Sequence, residues 1–384
     1  MEQLLIRGGL VYTDGAVEQT DVLCRDGRIE AIGHFAAVPE NTAVLEAAGC
    51  RVIPGLIDVH THGAVHVDVN AAGVEGLRRL AAFFAAQGVT SFHVSVLTDT
   101  PEVTEQCLRD AQTVMGDNGL GARLMGVHLE GPFLSSQYKG AMPEYLLREG
   151  DAALVRSWLQ KYPGVIRYMT VSPEVPGVID MIRELSEEIV IAIGHSGADY
   201  DTARAAIEAG ARCVTHTFNA MRLFHQHEPA IMGAALESDC WCEAICDGRH
   251  LHPGTVRMLL KCKGYDRVMA VTDSIMAAGL PDGKYKLGVN DVTVKDGDAR
   301  LTEMDVRAGS TLTAAQGLRN LLRFTGEPLE KVLPLLTANP AEAMRLGDCR
   351  GKIKQGFDAD LVLLDENMEV TATIVGGKTV WQKK

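Results

Sequence analysis

Basic residues are in the minority in this 384-residue chain: 37 lysines and arginines stand against 50 aspartates and glutamates, a formal charge of -13. No Lys/Arg-rich run occurs. A nucleic-acid binder needs a basic footprint, so that class is excluded. A phosphorylated small substrate is not, because a local pocket can be positive on an acidic protein. No segment approaches the roughly 20 apolar residues that span a bilayer. Residues 1–9 lack a basic region followed by a long apolar stretch, so no secretory signal is expected and the cytoplasm is the expected compartment. Low-complexity segments and solenoid-type repeats are also missing. The nine cysteines are odd in number and scattered, which predicts reduced, mostly buried thiols. Cys240, Cys242 and Cys246 have a spacing unusual for zinc and overlap an apolar run, so they read as core.

What is present is a globular balance, with 46% hydrophobic and 23% charged residues. The length suits one large domain with a smaller companion. The first ~50 residues read as short strands and tight turns. Asp26-Gly27 joins two such strands, and Asp-Gly tolerates the positive φ values of a type I′ turn. The last ~35 residues repeat the style, with Gly376-Gly377 as a turn, and Asp296-Gly297 marks a further hairpin. The expectation is a small β-sandwich domain built from residues 1–54 and 347–384. Between them, residues 55–346 alternate strand-like and helix-like segments. Eight strand candidates cover 56–63, 90–96, 124–131, 167–174, 189–196, 212–219, 241–248 and 267–274. Leu77, Leu80, Ala81 and Phe84 show the helical spacing between them, as do Ala203, Ala206 and Ile207. Apolar strands alternating with amphipathic helices predict a parallel sheet covered by helices, and eight such units predict an α/β fold closed as a (β/α)8 barrel.

Polar residues fall at the ends of these strands. The first ends in Asp58-Val59-His60-Thr61-His62, the third in His128-Leu129-Glu130, the fifth in Gly194-His195-Ser196, the sixth in Thr215-His216-Thr217 and the eighth in Thr272-Asp273-Ser274. In such a barrel the C-terminal strand ends share one mouth, where active sites sit. Period-2 alternation puts His60 and His62 on one face. Four imidazoles and a bridging carboxylate suit one or two divalent ions, Zn²⁺ or Fe²⁺ first. Any one of these histidines alone reads as a core or loop residue. The whole set would need five strand ends to carry unexplained polar groups against an apolar core, which is costly.

The phrase Pro54-Gly55-Leu56-Ile57-Asp58-Val59-His60-Thr61-His62 resembles the opening metal motif of the amidohydrolase superfamily. His128-Leu129-Glu130-Gly131-Pro132-Phe133, Gly194-His195-Ser196, Thr215 to Met221, Asp247-Gly248-Arg249-His250 and Ala308 to Thr313 are each similar to N-acetylglucosamine-6-phosphate deacetylases, in order across almost the whole chain. The resemblance implies that Glu130, His195 and His216 hold a main metal. It implies that His60 and His62, with Glu130 bridging, hold a second, and that Asp273 is the general base and acid. His250 would contact the substrate carbonyl, while Asn219 and Ala220 would offer backbone groups to the far end of the substrate. Ala141, His227 and Ala308 complete the implied substrate contacts. A homodimer is implied as well, because the family's phosphate site is shared between subunits.

Two departures from the family pattern bear on the substrate. Where the family reads Arg-Glu-Pro this chain has His227-Glu228-Pro229, so a forked cation is missing. Where it reads Lys-Gly-Ala-His this chain has Lys139-Gly140-Ala141-Met142. Three readings follow: His225, His227 or Arg249 rebuilds the phosphate site; the substrate is another N-acetylhexosamine 6-phosphate; or it is an N-acylated amine or sugar without phosphate. A dihydroorotase-like or aminoacylase-like enzyme is disfavoured, because the fourth strand ends in Val171-Ser172-Pro173-Glu174, without the lysine that many of those enzymes carboxylate. A scaffold that had lost its chemistry would be expected to lack a ligand or the base, and all six positions are intact.

Overall fold

The structure, a computed structural model, describes residues 3–13, 16–38, 40–117, 119, 121–304 and 306–384. Eight parallel strands follow one another in sequence order around one sheet: Leu56–Asp58, Val89–Leu97, Arg123–Glu130, Ile166–Val171, Val190–Ile193, Cys213–Val214, Trp241–Ile245 and Val268–Val271. All eight expected strands are there, and most end earlier than the sequence suggests. The residues just past three of them leave the extended region: His195, His216 and Asp273 have φ of 47°, 25° and 48°. The first and last strands meet beyond their ladders. Asp273 N donates to His60 O at 2.9 Å and His62 N to Ser274 O at 2.7 Å, which closes the barrel at its mouth.

A helix follows each strand: Gly73–Ala86, Pro101–Met115, Ala152–Lys161, Val178–Leu185, Tyr200–Glu208, Ala230–Glu237, Pro253–Lys263 and Ala314–Thr325. Several starts are capped by the residue types that favour it. Thr100, Asp151, Asp199 and Thr313 each accept a first-turn N–H. The expected stripe of Leu77, Leu80, Ala81 and Phe84 is buried against the strands. Alternation along the strands separates two apolar layers. Met169, Val171, Ile191 and Ile193 pack with the helices. Tyr168, Val190, Ala192, Cys213 and Met269 form a second cluster from the intervening positions. Cys240, Cys242 and Cys246 are buried in the helix-facing core.

The chain's two ends share a second, mixed sheet of eight strands, in which Leu361–Leu364 pairs with Arg51–Pro54. Its strands enclose a core of their own, including Ile6, Val22, Val52, Phe357 and Ile374. The hairpin expected at Asp26-Gly27 joins Val17–Arg25 to Arg28–Gly33, with φ of 47° and 82° at the turn, as a type I′ geometry requires. The Asp296-Gly297 hairpin belongs to a three-stranded sheet, Gly283–Leu287, Asn290–Lys295 and Asp298–Leu301, inserted between the last barrel strand and its helix. Among the described residues no helix is long and apolar enough to cross a membrane.

Candidate metal centre and active-site cavity

The strand-end residues converge on Glu130. Its Oε1 lies 3.1 Å from His195 Nε2, 3.3 Å from His216 Nε2 and 3.5 Å from His60 Nε2. Its Oε2 lies 3.1 Å from His62 Nε2. His195 and His216 place their Nε2 atoms 3.0 Å apart, and His60 and His62 place theirs 3.2 Å apart. Asp273 Oδ1 sits 3.3 Å from His62 Nε2 and 3.6 Å from His60 Nε2. Two ligand sets result, one of Glu130, His195 and His216, the other of His60, His62 and Asp273, and every member is buried. The carboxylate of Glu130 stands between them.

The donor set fits divalent ions. Imidazole nitrogens that face one another at 3.0–3.2 Å over a shared carboxylate have the spacing of ligands around one small cation. The opposite ring nitrogens are tied to acceptors, which fixes the tautomer that turns Nε2 inward. His60 Nδ1 is 2.9 Å from Glu243 Oε2, His62 Nδ1 is 3.0 Å from Ser95 O, and His195 Nδ1 is 2.9 Å from Tyr138 O. His216 Nδ1 has no partner among the described residues. Its backbone is held instead, its N–H donating to Glu243 Oε2 at 2.9 Å.

Three of the converging residues are held in the left-handed backbone region, which non-glycine residues rarely adopt at a cost of about 1–3 kcal/mol each. Local hydrogen bonds hold them there. Ser172 Oγ donates to His195 O at 2.6 Å, Glu243 takes the His216 N–H, and Ser310 N donates to Asp273 O at 2.7 Å. Gly140, at φ 55°, passes over the His195 ring, where an added Cβ would lie 3.1 Å from Cε1.

Burial and charge compete at these groups. Burial favours neutral His60, but Glu243, Glu130 and Asp273 outweigh it and lift its pKa to about 9. His62 is lifted to about 10 against burial by Glu130 and Asp273. Burial likewise opposes ionisation of Glu130, yet His60, His62, His195 and His216 hold it well below the usual carboxylate range. Asp273 is lowered by His60 and His62 against the same penalty. Without ions the site is therefore a set of carboxylates neutralised by charged imidazoles. Asp58 lies beneath, accepting from Thr272 Oγ1 at 2.6 Å, and burial pushes it up to about 6.

A cavity of about 460 Å³ opens above this floor. Glu130, His62, His195, His216 and Asp273 line its base, and Ala141, Asn219, Ala220, His250 and Ala308 line its sides. His250 Nδ1 lies 2.7 Å from Asp247 Oδ2, while Asp247 Oδ1 accepts the Arg249 and His250 N–H groups at 2.7 and 2.8 Å. Burial would raise Asp247, but His250 and these N–H groups hold it low. Met142 is buried in the apolar cluster beneath the inserted hairpin. His227 is outside the cavity, on an exposed loop whose His225 and Glu228 pair across a tight turn. Arg249 donates to Asp296 O and so braces the hairpin.

Sequence reasoning passed over Glu243, which is fully buried and also accepts from Tyr168 Oη at 2.7 Å. Its signal was a lone carboxylate inside the apolar run 241–246. Lys139, Arg300 and Arg307 were also passed over as cavity-lining residues. Only the folding of the hairpin brings the two arginines there.

Residues 51–380 match the Amidohydrolase family. The N-acetylglucosamine-6-phosphate deacetylase of Lysinibacillus sphaericus is 33% identical over 379 residues, covering 98% of this chain and 97% of that protein. The N-acetylgalactosamine-6-phosphate deacetylase of Escherichia coli O157:H7 is 31% identical over 380 residues, covering 98% and 99%. Among solved structures, a mutant N-acetyl-D-glucosamine-6-phosphate deacetylase from Mycobacterium smegmatis, in complex with N-acetyl-D-glucosamine-6-phosphate, superposes with a TM-score of 0.91 at 33% identity, covering 99% of this chain and 100% of that one.

Proposed function

Since the chain belongs to the amidohydrolase family, as an N-acetylhexosamine-6-phosphate deacetylase, we propose that its substrate is N-acetylglucosamine 6-phosphate, hydrolysed to acetate and the amino sugar phosphate. The observation that carries this reading is the Glu130 carboxylate set between two buried ligand groups at the base of a cavity that also holds Asp273 and His250. Glu130, His195 and His216 would hold one divalent ion; His60 and His62, with Glu130 shared, would hold another. When bound, such ions supply Lewis acidity, which polarises an amide carbonyl and makes water acidic near neutral pH.

The protein's own groups do the rest. Asp273 belongs to the His60–His62 group, and its depressed pKa makes it a carboxylate at neutral pH. It takes a proton from the attacking water and returns it to the nitrogen that leaves. His250 faces the cavity with its Nδ1 tied to the Asp247 carboxylate. That contact orients the ring and leaves Nε2 for the substrate's carbonyl oxygen, where negative charge develops. Asn219 and Ala220 bring backbone groups to the cavity wall. Asn219 Nδ2 is committed to His216 O at 3.0 Å, which ties that wall to a ligand.

Acetate release by metal-loaded protein tests the reading, with N-acetylglucosamine 6-phosphate, N-acetylgalactosamine 6-phosphate and unphosphorylated N-acetylglucosamine compared at equal concentration. The glucosamine ester should be turned over fastest. Faster release from the galactosamine ester would move the assignment to that isomer. Faster release from the free sugar would make the enzyme an amidohydrolase of non-phosphorylated N-acylated amines.

A further inference from the structure

A sugar phosphate carries close to two negative charges at neutral pH, and they must be met inside a cavity whose floor already contains Glu130 and Asp273. The chain as a whole is acidic, so the cations that meet them have to be local. His225 and His227 do not line the cavity of their own chain, and Arg249 is engaged with the Asp296 carbonyl. Three other cations do line it: Lys139, Arg300 and Arg307.

We propose that Arg307, with Arg300 beside it and Lys139, forms the phosphate-recognition site within a single chain, replacing the cation that a neighbouring subunit would otherwise have to lend. The proposal rests on the reading that the substrate is phosphorylated. Arg300 and Arg307 are cross-strand partners in an antiparallel bridge at the base of the inserted hairpin. Two guanidiniums side by side repel each other unless an anion separates them. Asp298 supplies it: Oδ1 accepts from Arg307 Nε at 2.9 Å and Oδ2 from Arg300 Nε at 2.9 Å. Burial disfavours the Asp298 charge, yet Arg307 and Arg300 hold its pKa below the ordinary carboxylate value, so the clip stays ionised. Asp298 thus aligns the two guanidiniums.

Arg307 uses Nε and Nη2 on Asp298, the second at 3.3 Å. Its Nη1 has no partner among the described residues. A planar guanidinium braced along one edge presents the other at fixed geometry, which is the arrangement that suits a phosphate. Arg307 directly precedes Ala308 and Gly309, which also line the cavity, and Ser310 N is bonded to Asp273 O. A short, hydrogen-bonded segment therefore links the anion site to the proposed base. Lys139 stands in the segment before Gly140, which packs on His195, and its Nζ reaches Met142 O at 3.3 Å. It adds a point charge from the Tyr138–Met142 side of the cavity.

The test measures kcat/KM for N-acetylglucosamine 6-phosphate and for N-acetylglucosamine in metal-loaded wild type, Arg307→Met, Lys139→Met and His227→Ala. Arg307→Met keeps the aliphatic stem and removes the fork. Its ester-to-free-sugar ratio should fall about 10- to 100-fold, through KM more than kcat, as expected for the loss of charge-assisted hydrogen bonds. Lys139→Met should lower the same ratio by a smaller factor, and His227→Ala should leave it near the wild-type value. A wild-type ratio in Arg307→Met and Lys139→Met, with a collapse in His227→Ala, would overturn the single-chain site and leave the deacetylase reading intact. Should Arg307→Met fail to fold, an unchanged ratio in Lys139→Met overturns the proposal and a reduced one supports it. A wild type that prefers the free sugar would overturn the phosphorylated-substrate reading, and this inference with it.

Discussion

Replacing Glu243 separates the charge of a buried carboxylate from its hydrogen bonds. Its Oε2 accepts from His60 Nδ1 and from the His216 N–H, both at 2.9 Å, and its Oε1 accepts from Tyr168 Oη at 2.7 Å. Glu243→Leu leaves three buried donors, two N–H groups and the Tyr168 hydroxyl, without this acceptor, at about 1–3 kcal/mol each, so the ion-free protein should lose about 3–9 kcal/mol of stability. Glu243→Gln behaves differently. Its amide oxygen can serve His60 and His216, and the Tyr168 hydroxyl can turn to accept from the amide nitrogen. Stability should then change by about 1 kcal/mol or less, while His60 loses a charged anchor. The consequence falls on the ion, with an affinity about 10- to 100-fold weaker, as for other groups that orient metal-ligating histidines. Zinc titration of ion-free protein against a competing chelator reads the affinity, and urea denaturation of the same samples reads the stability. Wild-type zinc affinity in Glu243→Gln would refute the argument that this carboxylate acts through His60. So would equal destabilisation by Gln and Leu, because the two differ only in whether the donors are satisfied.

Asp273→Asn should retain the Glu130–His195–His216 ion and the fold but lose several orders of magnitude in kcat, since the group that moves the proton is gone; near-normal turnover would remove Asp273 from that role. His60→Gln combined with His62→Asn should lower the number of ions bound per chain as read by elemental analysis, and an unchanged stoichiometry would mean that a single ion serves the site. Loading ion-free protein at pH 8 should release protons into a weakly buffered indicator solution. His60 and His62, raised to about 9 and 10, are charged at that pH and must become neutral to bind an ion; loading without proton release would contradict those values. The same raised values stabilise the ion-free protein fully below about pH 6.5, the ordinary histidine value, and that stabilisation should be lost as pH rises through 9 to 10. A denaturation midpoint that rises over this range would show that the imidazoles are not paired as charged groups.

The barrel was legible because its code is local. Eight apolar runs separated by helical stripes such as Leu77, Leu80, Ala81 and Phe84 allow few arrangements other than a helix-covered parallel sheet. The hairpins at Asp26-Gly27 and Asp296-Gly297 were legible for the same reason, since the residue pair itself accepts positive φ. The candidate ligand residues stood out because polar groups at strand ends are conspicuous against apolar strands, and a barrel sends those ends to one mouth. Strand lengths were overestimated at the C-terminal ends. The turn-out at His195, His216 and Asp273 is enforced by partners distant in sequence, such as Ser172, Glu243 and Ser310.

The sequence by itself therefore carried the architecture and the positions of the two candidate ligand groups, which are properties of residue type and spacing, while the proton-transfer role of Asp273 is what the family resemblance implies. The tertiary structure alone decided what stands next to them. Glu243 is an unremarked carboxylate in a strand until the barrel closes and puts it under His60. Arg300 and Arg307 are ordinary hairpin residues until the insertion folds them into the cavity wall, while His227, one loop away in sequence from Asn219 and Ala220, ends outside it. Periodicity fixes which face a side chain occupies. Contacts between segments tens to hundreds of residues apart depend on how the closed barrel and its insertion pack, and no local pattern carries that information.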